Sequence, residues 1–360
     1  MQTADFDFHL PQELIAQHPS PARGESRLLV LDRKQNRLDH KSFSDLADFF
    51  NAGDVLVLND SRVIPARLRG TNARTGGRFE ILLLEENQPN DWWAMVRPGR
   101  SARIDTAILI ARPGTTRAPG AVSAVVTEKN PEGHCRLRFT GGTDIKDVLN
   151  DIGEIPLPPY IARARAGQSA EDKERYQTVF ARNDGSVAAP TAGLHFTETL
   201  LDKIRRLGVK VCFVTLHVGP GTFMPVKVET LSNHTMHEER FALGDETVHA
   251  VNEAKQRGAR VFAAGTTTVR ALESVAARNA GKLNVYAGKT NIFIFPPWHF
   301  RVVDALVTNF HLPRSTLLML ASAFAAPDET RGREVLLFAY DEAIRMRYRF
   351  YSYGDAMLIL

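Results

Sequence analysis

Four times in this chain an apolar, strand-like stretch runs straight into a polar segment. The longest reads Phe213-Val-Thr-Leu-His217-Val-Gly219-Pro220-Gly221-Thr222-Phe223. The others are Val55-Leu-Val-Leu-Asn59-Asp60-Ser61-Arg62, Val261-Phe-Ala-Ala-Gly265-Thr266-Thr267-Thr268-Val-Arg270 and Leu306-Val-Thr-Asn309-Phe310-His311-Leu-Pro313. In an open α/β sheet the carboxyl ends of the strands are where ligands bind. Turn geometry alone asks only for Gly, Asn, Asp and similar residues. Strand ends that also carry Ser, Arg, Thr and His point to one composite site.

The surrounding pattern fits such a sheet. Thr197 is placed to cap a helix whose Leu200, Leu201 and Ile204 share a face, and Gly208 ends it. A strand follows from Val209 to Leu216. Asp245 is expected to cap a second helix, stopped at Gly258, before the strand at 260–264. A third helix begins after Gly265, and Ser315 caps a fourth. Alternation of this kind predicts a mostly parallel sheet flanked by helices, an α/β fold. Between 62 and 150 the character changes to short β runs punctuated by Gly76-Gly77, Pro98-Gly99, Asn130-Pro131 and Gly141-Gly142. That predicts a small antiparallel β-barrel domain inserted into the α/β domain. The division is 1–61 and 151–360 for the discontinuous α/β domain and 62–150 for the barrel.

Bulk properties exclude several classes. No apolar run approaches the ~18 residues of a membrane span, and the segment after Met1 has no basic-then-apolar secretory pattern. The two cysteines, Cys135 and Cys212, form no Cys-x-x-Cys signature, so a reducing cytoplasm is the expected compartment. A formal net charge of +4 and a pI near 9.1 suit a nucleic-acid partner but also a mildly basic enzyme.

The chemistry-bearing segments have competing readings. Gly265-Thr266-Thr267 opens a helix, where free N–H groups favour anions; a threonine acting only as a cap is the plainer alternative. Gly288-Lys289-Thr290 lacks the first P-loop glycine, since Leu283 stands there. Gly219-Pro220-Gly221 lets a ligand approach the backbone, yet Met224 replaces the third glycine of a dinucleotide fingerprint. His234 and His237, beside Glu238 and Glu239, could hold a metal, but they do not form His-Glu-x-x-His and lack an assignable partner. No metal is expected. Arg67, Arg69, Arg97 and Arg163 could grip phosphates, though each alone fits a solvated surface equally well.

Several longer motifs in one order carry a resemblance. They include Leu14-Ile-Ala-Gln17 with Ser26-Arg27-Leu-Leu29, and Asn59-Asp60-Ser61-Arg62-Val-Ile-Pro65-Ala-Arg67. Gly153-Glu154-Ile-Pro156-Leu-Pro158-Pro159-Tyr160 and Tyr176-Gln177-Thr178-Val-Phe180 follow. Then come Ala189-Pro190-Thr191-Ala-Gly193-Leu-His195-Phe196, the four strand-end segments, and Tyr351-Ser352-Tyr353-Gly354-Asp355-Ala356-Met357. Over nearly its whole length the chain resembles the S-adenosylmethionine:tRNA ribosyltransferase-isomerase family of queuosine biosynthesis. One departure is Phe295-Pro296-Pro297-Trp298-His299-Phe300, where Pro297 replaces the usual glycine.

The resemblance implies a transferase that moves the ribosyl part of S-adenosylmethionine onto the 7-aminomethyl-7-deazaguanine wobble base of tRNA. The sugar is isomerised to give epoxyqueuosine, with release of adenine and methionine. S-adenosylmethionine is then a consumed substrate, no cofactor is needed, and the expected partner is tRNA. The expectation includes a cytoplasmic monomer with no membrane contact and no obligate protein partner. Such chemistry asks for a base beside the sulfonium, a donor that helps adenine leave, and a dry pocket.

His195, His217, His311 and Glu229 are the candidate catalytic groups, a histidine being favoured as proton carrier. Asp60, Ser61, Arg62, Thr191, Gly219, Gly221, Thr222, Thr266, Thr267, Arg270, Asn309 and Phe310 are candidates to hold S-adenosylmethionine. Arg67, Arg69, Arg97 and Arg163 are candidates for tRNA. Two other readings compete: a metal- or nucleotide-dependent hydrolase built on His234 and His237, and a non-catalytic RNA-binding module built on the barrel.

Overall fold

A computed structural model describes residues 1–113, 122–163, 170–219, 221 and 226–360. The chain divides into two compact units. One comprises Met1–Arg62, Gln177–Asn183 and Ala189–Leu360; the other comprises Val63–Tyr176 and Asp184–Ala188. The second unit thus runs on past position 150, where the barrel was expected to end, because the helix Ile145–Ile152 packs its apolar face into the barrel's core through Ile145, Leu149 and Ile152.

The first unit is built on a nine-stranded sheet. From edge to edge the strands are Tyr286–Thr290, Glu239–Leu243, Lys210–Leu216, Val55–Asn59, Val261–Ala264, Ala305–Asn309, Ala356–Ile359, Arg27–Asp32 and Arg37–Ser42. The four from Lys210–Leu216 to Ala305–Asn309 are mutually parallel. Antiparallel pairs flank them, so the sheet is mixed and the expected parallel character is confined to its centre and to the pairing of Arg27–Asp32 with Ala356–Ile359.

The central strands are buried on both faces. Every residue of Val55–Asn59, Val261–Ala264, Ala305–Asn309 and Ala356–Ile359 is buried. Successive side chains point to opposite faces, so both sides must be covered. On one face Leu56, Leu58, Phe262, Ala264, Val307 and Leu358 join Phe43, Leu46, Phe196 and Ile204 in one cluster. The helices Asp245–Gln256 and Thr266–Arg278 also pack on these strands.

Helix starts follow local chemistry with one correction. Thr197 Oγ1 accepts the Leu200 N–H at 3.1 Å, and Ser315 Oγ accepts the Leu318 N–H at 3.2 Å, both as caps. Asp245 is instead the first helical residue, with Gly244 at the cap position; its carboxylate sits in the first turn, where the helix dipole favours it. Deep in the helix Thr266–Arg278, the Glu273 carboxylate accepts the N–H groups of Arg301, Val302 and Val303 at 2.9–3.1 Å. It thereby anchors the chain just before the strand Ala305–Asn309.

The second unit contains a closed six-stranded antiparallel barrel. Strands run Arg67–Asn72, Arg78–Gln88, Asp91–Arg97, Cys135–Thr140, Ser123–Lys129 and Ala107–Ala111, and the last pairs back with the first. Alternating residues such as Leu68, Phe79, Ile81, Trp92, Leu137 and Phe139 fill its interior. Gly70 is required at a close approach, because a Cβ there would lie 2.6 Å from Ile108 Cγ2 and 2.9 Å from the Leu109 carbonyl oxygen.

Candidate functional site

The four parallel strands put their carboxyl ends on one edge of the sheet. Asn59 ends the middle one and ties its neighbours together. Its Nδ2 donates to the Leu216 carbonyl at 2.9 Å and to Thr267 Oγ1 at 3.3 Å. Its Oδ1 accepts the N–H groups of Leu216 at 3.0 Å and Ser61 at 3.1 Å. Asp60 accepts the Thr215 hydroxyl at 2.7 Å. The next residue, Ser61, is fully buried, and its Oγ has no hydrogen-bond partner among the described residues. Arg62 points away into solvent.

Gly265, with φ of +92°, turns the chain from strand to helix, a conformation that suits glycine. It occupies the cap position, so Thr266 and Thr267 are the first two helical residues and neither is the cap. The helix start is therefore uncapped by any side chain. Thr268 turns its hydroxyl back to the Ala264 carbonyl at 2.7 Å.

One turn further, Arg270 is buried and pairs with Glu239, itself buried. Glu239 Oε1 also accepts the Gly219 N–H at 2.9 Å. The Arg270 Nε donates to the Ile292 carbonyl at 3.3 Å, which leaves Nη2 buried with no partner among the described residues. Gly219 is thus held to the helix through a carboxylate that sequence reasoning passed over. The expected carboxylate, Glu229, is exposed, and its carbonyl pairs with the N–H of Thr3 at 2.8 Å. Glu239 was visible only as part of the His234–Glu239 run; its strand partner, not its spacing, turns it inward. Gly221 packs against the His237 ring so closely that a Cβ would come within 2.6 Å of it.

His195 and Asn309 form the other half of the site. Asn309 ends its strand, and its Nδ2 donates to the Tyr351 carbonyl at 3.2 Å and to His195 Nε2 at 3.0 Å. A carbonyl can only accept, so the amide orientation is fixed. His195 Nε2 is then an acceptor, and its Nδ1–H donates to Ser26 Oγ at 2.7 Å. The Phe43 ring lies 5.0 Å from the imidazole, centre to centre. Burial lowers the His195 pKa to about 4, against the raising influence of Asp355. His311 is buried too, bonded through Nε2 to Thr308 Oγ1 at 2.8 Å, and burial takes its pKa to about 3. Burial thus favours the neutral form of both imidazoles.

The remaining candidates divide. His217 is half-buried, its N–H donating to the Arg240 carbonyl at 2.9 Å. Thr191 begins a short 3-10 turn, Thr191–His195, and the adjacent Ala192 reaches toward Gly265. Phe310 is fully buried among Tyr340, Tyr348 and Phe350, so it belongs to an aromatic core instead of a ligand surface. Thr222 lies outside the described residues. In the departure at Pro297, the following Phe300 sets its ring edge-on to Phe324 at 4.7 Å. The His234 ring sits edge-on to Phe293 at 5.0 Å, and burial with the neighbouring His237 lowers its pKa. Among the described residues no group of three or more His, Cys, Asp or Glu side chains is arranged to hold a metal. Nor is any helix there long and apolar enough to cross a membrane.

In the second unit the candidate arginines are mostly occupied. Arg163 grips buried Asp172 with Nε and Nη2, both at 2.8 Å. Arg69 pairs with Glu154 at 3.2 Å. Arg67 Nη2 donates to the Leu157 carbonyl at 3.1 Å. Arg97 is exposed and engaged in no ion pair among the described residues. The outward arginines of Cys135–Thr140 are countered by Asp91, at 2.8 Å from Arg136 and 3.5 Å from Arg138, so that face is less positive than its sequence suggests.

A mixed α/β sheet with a polar, water-poor cluster at its parallel strand ends, joined to an antiparallel barrel, defines the class. Residues 3–359 match the family described as queuosine biosynthesis protein, and the chain belongs to that family. It is 47% identical over 359 residues to a curated S-adenosylmethionine:tRNA ribosyltransferase-isomerase of Clostridioides difficile (strain 630), covering 100% of both chains. It is 38% identical to the crystal structure of S-adenosylmethionine tRNA ribosyltransferase from Thermotoga maritima, with a TM-score of 0.55, over 99% of this chain and 100% of that one.

Proposed function

We propose that the chain is an S-adenosylmethionine:tRNA ribosyltransferase-isomerase, a transferase of queuosine biosynthesis. It transfers the ribosyl part of S-adenosylmethionine to the aminomethyl group of 7-aminomethyl-7-deazaguanine at the tRNA wobble position. Adenine and methionine leave, the sugar becomes an epoxycyclopentanediol, and the product is epoxyqueuosine-tRNA. S-adenosylmethionine is consumed, and no separate cofactor takes part. The place of action is the cytoplasm, where uncharged and charged tRNA circulate, and the enzyme works as a monomer.

One observation carries this reading beyond likeness to relatives. Ser61 Oγ, Arg270 Nη2 and Asn309 Oδ1 are buried polar atoms without partners among the described residues, and all end or follow parallel strands at one edge of the sheet. Leaving such atoms unmatched costs about 1–3 kcal/mol each. A polar ligand with both donors and acceptors offsets that cost, and the adenosyl group has both. Their burial keeps water away from them, as a reactive sugar intermediate requires.

In this reading Asp60, Ser61, Thr266, Thr267, Arg270 and Asn309 hold S-adenosylmethionine. The uncapped helix start at Thr266 offers N–H groups to an electron-rich part of the ligand. Glu239 keeps Arg270 and the Gly219 turn in place. Arg270, whose free N–H is directed from a low-dielectric setting, is suited to stabilise charge that builds on a leaving group. The barrel unit helps to hold tRNA, with Arg97 as one of its exposed cations.

The test follows the atoms. Purified protein, substrate tRNA and S-adenosylmethionine labelled in the methyl group are incubated, and adenine, methionine and tRNA are separated. The expected result is adenine release equal to ribosyl incorporation, with the label leaving in methionine. Label on tRNA would refute the reading, as would loss of activity on chelation.

A further inference from the structure

The buried acceptor on Asn309 has a fixed direction, and no described residue meets it. Its amide nitrogen is committed on two sides, to the Tyr351 carbonyl and to His195 Nε2. Rotation of the amide would set oxygen against oxygen at Tyr351. Tyr351 is itself held in place with φ of +72°, unusual for a residue with a side chain. Its carbonyl also accepts the Gly354 N–H at 2.9 Å. Gly354 admits no side chain, because a Cβ there would lie 2.4 Å from the Arg349 carbonyl oxygen. On the far side the Asn309 amide donates to His195 Nε2, so the neutral imidazole carries its proton on Nδ1, facing Ser26 Oγ. Asn309 is only 2% exposed, and its Oδ1 has no partner among the described residues.

We propose that Asn309 Oδ1 is a specificity-determining acceptor that receives a neutral N–H or O–H donor of the adenosyl group, and that His195 is a positioning residue that aims it. The proposal rests on the reading that S-adenosylmethionine binds at this cluster. A neutral donor matches best. An amide oxygen flanked by an uncharged imidazole offers a directed lone pair and no net charge, so it has little to hold a sulfonium or ammonium group buried away from water. The adenosyl group carries such donors on its exocyclic amine and on its ribose hydroxyls. His195 does not move a proton in this scheme; it accepts from Asn309 and keeps the amide from turning.

Calorimetry with the full chain, without tRNA, tests this. S-adenosylmethionine is compared with three analogues, lacking the purine 6-amino group, the 2′-hydroxyl or the 3′-hydroxyl. One analogue is expected to bind about tenfold or more weakly, since its absence leaves the acceptor unpaired; which one it is identifies the donor. Asn309→Ala is expected to bind that analogue and S-adenosylmethionine alike. If Asn309→Ala does not fold, the His195 variants carry the test. His195→Gln, which can still accept from Asn309, keeps the discrimination, whereas His195→Leu loses it. The proposal is overturned if all three analogues bind as well as S-adenosylmethionine, which means water meets the acceptor. It is equally overturned if discrimination survives in Asn309→Ala or in both His195 variants. Failure of the wild type to bind S-adenosylmethionine at all would remove the functional reading and this contact together.

Discussion

Arg270 and Glu239 form an ion pair in which both side chains are withdrawn from water, with 5% and 6% of their surfaces exposed. Desolvating two charges is costly, and a broken buried pair leaves one charge uncompensated. Glu239→Leu or Arg270→Met alone is therefore expected to lower stability by about 3–5 kcal/mol. The double variant Glu239→Leu/Arg270→Met should lose much less than the sum. Urea unfolding of the three proteins checks this; additive losses would show that the pair is not coupled.

The two buried histidines make stability depend on pH with a definite sign. Their folded pKa values, about 4 for His195 and about 3 for His311, lie below the unfolded value of about 6.5. The unfolded chain thus takes up protons first as pH falls. Stability from these groups is complete above about 6.5 and is lost on acidification toward 4. Between pH 7 and pH 5 the loss should be roughly 2 kcal/mol per histidine. Urea unfolding at both pH values, in wild type and in His311→Gln, reads the difference; an equal loss in both would contradict the assignment for His311.

Arg97 and Arg163 should respond differently to substitution. Arg97→Glu is expected to weaken tRNA binding and to reduce the slope of log affinity against log salt by about 1, with the melting temperature unchanged. Arg163→Ala leaves Asp172, 2% exposed, without its bidentate partner and should melt earlier. Filter binding over a salt series together with thermal melts separates the two. An Arg97 variant that binds tRNA normally would remove it from the nucleic-acid surface.

Asn59 makes four hydrogen bonds from one buried side chain. Asn59→Leu keeps the volume but strands the Leu216 N–H and carbonyl, and should cost about 2–4 kcal/mol. S-adenosylmethionine affinity should fall as well, because Thr267 and Ser61 lose their tether. A variant as stable as wild type would show that water replaces the amide.

The strand ends were legible in sequence because apolar β runs and the polar residues after them are both local signals. Asn59, Gly265 and Asn309 stand where the pattern placed them. Partners contributed from distant parts of the chain were not legible. Glu239 enters the site only because its strand lies antiparallel beside Lys210–Leu216. Phe310 sits in a strand-end motif, yet residues 30 to 40 positions later enclose its ring. The histidines show the same limit: residue type suggested proton transfer, but the burial of His195 against Phe43 and of His311 beside Tyr340 comes from distant elements. Likewise Arg163 reads as a free cation until Asp172 is seen folded against it.

The strand Ala356–Ile359 lies between Arg27–Asp32, its parallel neighbour, and Ala305–Asn309. A ribosome makes Arg27–Asp32 more than 320 residues before Ala356–Ile359 can dock beside it. Until then the inner edge of Arg27–Asp32 has no partner in the sheet, and the Tyr351 carbonyl that aims Asn309 has not been made. Contacts this distant in sequence close late and slowly. The ligand-reading edge is therefore among the last parts of the nascent chain to mature, and a chain stalled before Tyr351 would carry most of the sheet without a working acceptor.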